Sequence, residues 1–226
     1  MSFIISDDCL RLGIRAGAIV FRNVRVTAST LAQRTEMVEA TAAVRARFSN
    51  PSEIRADPCV ASFRSILQKV GVNPKKDQPS VEKLISFAHK RGDLPVINNL
   101  VDAYNLISIR SSCSLGAHDL DRISLPVALR FLNGSESFTP LGSAQPTRVT
   151  AGEYGYVDAS NRLLCRLDIL QADFSRVTEA TNNVLLIVEG TLAHPAQDVR
   201  KAFADVIEVV KHYCGGTGEI ISFPEV

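Results

Sequence analysis

No apolar run in this 226-residue chain approaches the ~20 residues needed to span a bilayer. The opening MSFIISDDCL also lacks the charged-then-apolar layout of an export signal, so a cytoplasmic protein is expected. Cysteine is sparse and dispersed: Cys9, Cys59, Cys113, Cys165 and Cys214 form no C-x-x-C pair and have no histidine at ligand spacing. That excludes a zinc motif or a disulfide framework and leaves small buried thiols as the expectation. Charge of one sign is missing too: 25 basic and 24 acidic residues give a net charge of +1. A protein that grips nucleic acid by bulk electrostatics is usually strongly basic, so any RNA contact here has to be local. Gly152, Gly155 and the 215–218 glycines lack the strand-loop-helix context of a phosphate loop, and no internal repeat or low-complexity tract is visible.

What is present is a hydrophobic content of 46%, ample for a core, and a single domain over residues 1–226 is expected. Residues 13–27 alternate apolar and polar side chains and read as one or two strands. Ser29 is expected to cap a helix running to about Phe48, with Asn50-Pro51-Ser52 ending it. Asp57-Pro58 opens a second helix closed by Gly71, and Ser80 caps a third that stops at Gly92. Asn98 or Asn99 caps a fourth, in which Leu100, Val101, Tyr104, Ile107 and Ile109 recur at helical steps, and residues 111–116 read as a loop. From Leu125 to Gly190 the pattern changes to short β runs separated by Gly, Pro, Asn and Ser. A helix opened by Pro195 and ended by Gly215-Gly216 follows, then a closing strand in EIISF. The order implies an α+β, mixed α/β architecture with mainly antiparallel or mixed sheets flanked by helices.

Four segments carry a more specific signal. Residues 94–123 read LPVINNLVDAYNLISIRSSCSLGAHDLDRI, residues 130–143 RFLNGSESFTPLGS, residues 152–166 GEYGYVDASNRLLCR, and residues 175–190 SRVTEATNNVLLIVEG. Together, in this order, they resemble the tRNA-editing module of the beta subunit of bacterial phenylalanyl-tRNA synthetase (its domains three and four). QPSVEKL, LPVINNLVDAYNLISI and LGAHDLD are similar to free-standing proteins that look like this module cut loose from the synthetase. The resemblance covers roughly residues 75–215 and leaves the first ~70 without a role.

The activity this resemblance implies is hydrolysis of the ester joining a wrong amino acid to the 3′ end of tRNA. Such chemistry needs a pocket, donors for the carbonyl and a placed water, and no nucleophilic side chain. Asn105 matches a pocket asparagine of the family, with Tyr104 beside it where the family has threonine. Asn105 is a candidate to bind the amine or ribose, or simply to hold the next loop. Asp102 and Asp119 match acidic residues that look structural. Where the synthetase has a histidine this chain has Gly116, and His118, two residues on and on the same side of an extended segment, is the candidate to stand in for it. Asp173, Ser175 and Thr178 resemble residues at the rim of the pocket, and hydroxyls there also serve to satisfy turn backbone.

Further departures bear on specificity. The glycine-rich turn of the synthetase is replaced by DILQA at residues 168–172, whose Asp168, Leu170 and Gln171 are expected to fill space. The carboxylate that reads a phenol hydroxyl aligns with Ile187, while Glu189 lies on the same strand face. These changes point to a small or aliphatic aminoacyl group in place of tyrosine. For RNA contact the candidates are Lys75, Lys76 and Arg130, with Arg130 equally able to pair with Glu136. The resulting expectation is a trans-editing aminoacyl-tRNA deacylase with catalytic candidates His118 and Asn105 and substrate-binding candidates Tyr104, Gly116, Asp173, Ser175, Thr178 and Glu189. It needs no metal or cofactor, takes aminoacylated tRNA as partner, and touches neither membrane nor DNA. The alternatives are a non-catalytic tRNA-binding or partner-docking module, and a pocket repurposed for a free amino acid.

Overall fold

The computed structural model describes residues 2–224. Strand β1 (Phe3–Ile5) and a short helix α1 (Asp7–Leu12) lead into the long strand β2 (Ile14–Arg22). Five helices follow: α2 (Leu31–Arg47), α3 (Pro51–Ala56), α4 (Pro58–Lys69), α5 (Ser80–Arg91) and α6 (Asn99–Ser111). Strands β3 (Ser114–Asp119), β4 (Val127–Phe131), β5 (Tyr154–Val157), β6 (Leu163–Arg166), β7 (Leu170–Gln171) and β8 (Val184–Thr191) come next, then α7 (Ala196–Cys214) and β9 (Thr217–Ser222).

Local chemistry accounts for most boundaries. Asp57 accepts from the amides of Cys59 and Val60 with Pro58 at the first helical position, and Asn98 accepts from Val101 N. Gly13 and Gly92 end α1 and α5 in the left-handed conformation. Three expected boundaries move. Thr30, and not Ser29, caps α2, because the Ser29 hydroxyl donates to Asp102 Oδ2 at 2.5 Å. Asn50 starts α3 in addition to ending the previous helix, its side chain accepting from Ser52 N and Glu53 N. Ser80 is the first residue of α5, with Pro79 at the cap and no side-chain bond. The expected loop at 111–116 also gives way, since strand β3 begins at Ser114 and pairs with β8.

A four-stranded antiparallel sheet runs in the order β3-β8-β2-β9, and a five-stranded sheet in the order β1-β4-β5-β6-β7, with β1 parallel to β4 and the rest antiparallel. Every residue of β8 is buried, which is why VLLIVEGT reads as an unbroken apolar run up to its glutamate. Val184, Leu186 and Val188 join Leu100 and Ile107 of α6 and Phe203 and Val206 of α7 on one face. Leu185 and Ile187 point the other way, meeting Val127, Leu129, Tyr154 and Tyr156 of the five-stranded sheet. The four-stranded sheet is therefore sandwiched between helices and a second sheet, and each of its large core side chains contributes about 1.5–3 kcal/mol by burial. Gly17 permits the fit on β2: a Cβ there would stand 2.5 Å from the carbonyl oxygen of Ser222 on β9. The helices α2 to α6 share a separate core that includes Met37, Ile54, Phe63, Ile85 and Leu106. Among the described residues no helix is long and apolar enough to cross a membrane.

Candidate functional site

The antiparallel register of β3 on β8 sets Gly116 beside Ile187 and Ser114 beside Glu189. Because side chains alternate along both strands, Gly116 and His118, and likewise Ile187 and Glu189, face the five-stranded sheet. There the two sheets, the start of α5 and the middle of α6 leave a cavity of about 170 Å³. The four-stranded sheet contributes the β3 and β8 residues just named. The opposing wall is Tyr156 on β5, Cys165 on β6, Asp168 and Ile169 in the following turn, and Gln171 on β7. Ser80 at the start of α5 and Tyr104 and Asn105 on α6 complete it. A second, more apolar hollow of about 290 Å³ adjoins it through Ser80, Asn105 and Leu115, lined by Val81, Lys83, Leu84, Phe87 and Pro95.

His118 is 2% exposed, and its Nδ1 lies 2.9 Å from Ser175 Oγ. Gln171 Nε2 donates to Ala117 O at 2.9 Å and approaches the same Nδ1 at 3.4 Å. These contacts fix the ring through Nδ1. Burial lowers the His118 pKa to about 4, so the imidazole is neutral near pH 7. The Asn105 amide, partly exposed between the two hollows, makes no side-chain hydrogen bond among the described residues.

At the floor, Tyr156 donates its hydroxyl to Glu189 Oε2, and Asp168 Oδ2 accepts from Ser80 N at 3.3 Å. Glu189 Oε1 and Asp168 Oδ1 are buried without a partner, as is the Tyr154 hydroxyl. Burial and the nearby Asp168 charge push Glu189 up to about 8, and burial raises Asp168 to about 6, so the two carboxyls lose their protons in separate steps. Burial also raises the Cys165 thiol far above its ordinary range, leaving no thiolate nucleophile in the cavity.

These shifts have a sign in stability. Glu189 has its carboxyl pKa raised from 4.5, so the folded state holds the extra proton between about pH 4.5 and 8. The stabilisation is complete below that window and is lost as pH rises through 8. Glu189→Gln is expected to flatten the fall in melting temperature as pH rises through this window and to be more stable than wild type at pH 9. Melting curves between pH 5 and 9 decide it, and parallel curves for the two proteins contradict the burial of this group. His118 acts in the opposite sense, losing stability as pH falls below 6.5 through 4.

Five of the catalytic and substrate-binding candidates meet at this cavity, Tyr104, Asn105, Gly116, His118 and Glu189, together with Asp168, Gln171 and Ile187. Ser175 stands behind His118 as its hydrogen-bond partner and does not line the space. Asp173 and Thr178 lie away from it. The Asp173 carboxylate pairs with the Arg176 side chain at 2.6 Å, and the Thr178 amide donates to Thr181 Oγ1. Arg130 is held by Glu136 at 2.6 Å and by Asn161 at 2.9 Å, closing the loop beside β4. Lys75 and Lys76 are exposed on the link between α4 and α5. Leu170 packs in a small satellite core, and Gln171 lines the cavity without sealing it. Asp168 is more than a space-filler, and Tyr156 escaped notice in the sequence. It shares a strand face with Tyr154, two residues back on β5, and what that face meets depends on sheet packing.

Gly116 is open on its side-chain face, with nothing within 4 Å of an added Cβ. Gly116→Ala is expected to fold normally and to gain about 0.5 kcal/mol from reduced chain entropy. Gly116→Leu should fill the cavity and abolish ligand binding at similar melting temperature. A drop of more than 5 °C for the alanine variant contradicts this account of the open face.

Comparison with known proteins agrees with the architecture. Residues 62–215 match the B3/4 domain family model. The phenylalanine-tRNA ligase beta subunit of Pyrobaculum aerophilum is 27% identical over 100 residues, covering 36% of this chain and 19% of that protein. An N-terminal fragment of the phenylalanyl-tRNA synthetase beta-subunit from Pyrococcus horikoshii superposes with a TM-score of 0.53 at 12% identity, over 96% of this chain and 50% of that one. The last likeness is one of fold. This chain spans about a fifth of the Pyrobaculum protein's length. With a family match over most of its length, from α4 to the end of α7, the chain belongs to the B3/4 domain family and is related to the phenylalanyl-tRNA synthetase beta subunit.

Proposed function

We propose that the chain is a free-standing, single-domain aminoacyl-tRNA deacylase that works in the cytoplasm on a mischarged tRNA carrying a small amino acid. The observation that carries this reading is the cavity itself, which gathers a neutral His118, an unengaged Asn105 and an unfilled Gly116 face in one space of about 170 Å³. That volume is well above what one ordered water needs and leaves room for a small aminoacyl group beside it.

In this reading the tRNA end enters past Asn105, whose amide donates to the ester carbonyl oxygen and stabilises the charge that develops there. His118, oriented through Nδ1 by Ser175, accepts a proton from water at Nε2 as the water oxygen bonds to the carbonyl carbon. The bond from that carbon to the ribose oxygen breaks, and His118 returns the proton to the ribose. The adjoining apolar hollow, with Lys83 at its wall, suits the terminal nucleoside, and the exposed Lys75 and Lys76, just upstream of Ser80, suit phosphates. The related synthetase subunit and the family match support tRNA as the partner.

A panel of tRNAs mischarged with alanine, serine, glycine, valine and tyrosine, incubated with purified protein, tests the reading. Hydrolysis above background for the small residues and little for tyrosine is expected. Gel-shift binding with no turnover on any member overturns the catalytic assignment in favour of a tRNA-binding module.

A further inference from the structure

Two acidic side chains share the floor of the cavity, and among the described residues no cation forms a salt bridge with either. Asp168 is 6% exposed and Glu189 2%. Neither belongs to any salt bridge among the described residues, and the nearest positive influence on Asp168 is the more distant Lys83. Each has one oxygen engaged, Glu189 Oε2 by Tyr156 and Asp168 Oδ2 by Ser80 N, and one oxygen free. Buried carboxylates are ordinarily paired, and a buried acceptor left open costs about 1–3 kcal/mol. A hydrophobic floor would avoid that cost, so the arrangement is accounted for by a ligand that completes it.

We propose that the floor is a seat for a primary ammonium group, which donates to the free Oε1 of Glu189 and the free Oδ1 of Asp168. The proposal rests on the deacylase reading only for where the ammonium comes from, namely the amine of a small aminoacyl group. A free small amino acid carries the same chemistry. An ammonium supplies three donors and one positive charge, which matches two acceptors and a carboxyl pair lacking a counter-ion. A ligand hydroxyl satisfies one acceptor and leaves the charge uncompensated. With the amine at the floor, the rest of the group extends toward His118 and Asn105.

Binding a cation should also move protons. Glu189 is surrounded by Asp168 from the turn after β6, Cys165 on β6, Tyr154 and Tyr156 on β5, and Cys9 on α1, none of them cationic. Burial and the Asp168 charge raise the proton affinity of this carboxyl pair, so an arriving ammonium displaces a proton from it.

The test uses L-alaninamide, L-alanine and N-acetyl-L-alaninamide in calorimetric titrations of the full chain at pH 7, run in two buffers of different ionisation enthalpy. Saturable binding of alaninamide is expected, with proton release and affinity at least tenfold above that of its acetylated analogue. Glu189→Gln and Asp168→Asn should each weaken alaninamide at least tenfold with unchanged circular dichroism. Equal affinity for the acetylated compound, no loss in either folded variant, or no binding of alaninamide overturns the proposal. The acetylated comparison in the wild-type protein stands even if a variant misfolds. Alanine binding as well as the amide assigns the seat to free amino acids, and preference for the amide assigns it to aminoacyl esters. Deacylation without alaninamide binding removes the ammonium seat and leaves the deacylase. Carboxylate-dependent alaninamide binding without deacylation does the reverse.

Discussion

His118→Ala is expected to lower the deacylation rate by about 10²- to 10³-fold, the range for loss of a positioned general base, with KM changed less than threefold. The reason lies in how the ring is held. Its Nδ1 is bonded to Ser175 at 2.9 Å, and burial keeps the imidazole neutral with a pKa of about 4. A base of this kind is unprotonated throughout the physiological range. The wild-type rate should therefore be insensitive to His118 titration above about pH 5 and fall in proportion to acidity below 4. Ser175→Ala, which removes the orienting bond and leaves the ring in place, should lower kcat by a smaller factor of roughly ten. Single-turnover rates on the best tRNA of the panel measure all three proteins. A His118→Ala rate within threefold of wild type removes His118 from the chemistry and leaves positioning by Asn105 and the backbone.

The largest expected loss of stability comes from outside the cavity. Arg64 on α4 donates to both oxygens of Glu82 on α5 at 2.9 and 2.7 Å and to Pro74 O at 3.2 Å. Glu82 is 1% exposed. Arg64→Ala strands that carboxylate in the core, and breaking one side of a buried pair costs about 3–5 kcal/mol. For a chain of this size that lowers the melting temperature by roughly 10 °C. Replacing both partners, Arg64→Met with Glu82→Leu, should recover most of the loss, since an apolar pair leaves no unmet charge. Calorimetric scans of the single and double variants decide it, and a single variant within 2 °C of wild type means that Glu82 finds another partner. The pair also anchors α5, whose first residue Ser80 sits on the rim of the cavity, so the single variant should bind ligand more weakly even where it stays folded.

Helix starts and stops were legible where one side chain or one backbone angle decides them. Asp57-Pro58, Gly92 and the amphipathic spacing of Val199, Phe203, Val206 and Val210 are such cases, and of the two candidate caps Asn98 and Asn99 the structure uses Asn98. Asn50-Pro51 was harder, because the same residues that terminate one helix cap the next. His118 and Gly116 were placed on one side from their spacing, and so were Ile187 and Glu189, although 111–116 was expected to be a loop. Period-two alternation survives the error because β3 starts at Ser114, just before the residues that matter.

The amino-acid order alone determined the local alternation of strands and helices and the run of motifs that mark the B3/4 family, since both depend on neighbours a few residues apart. Only the tertiary structure decided that β2, from the first tenth of the chain, lies between β8 and β9, and that Asp168 and Tyr156 close on Glu189 from the opposite sheet. Sheet order and the meeting of two sheets are set by contacts across many tens of residues, where side-chain volume and buried charge choose among pairings that local spacing leaves equivalent.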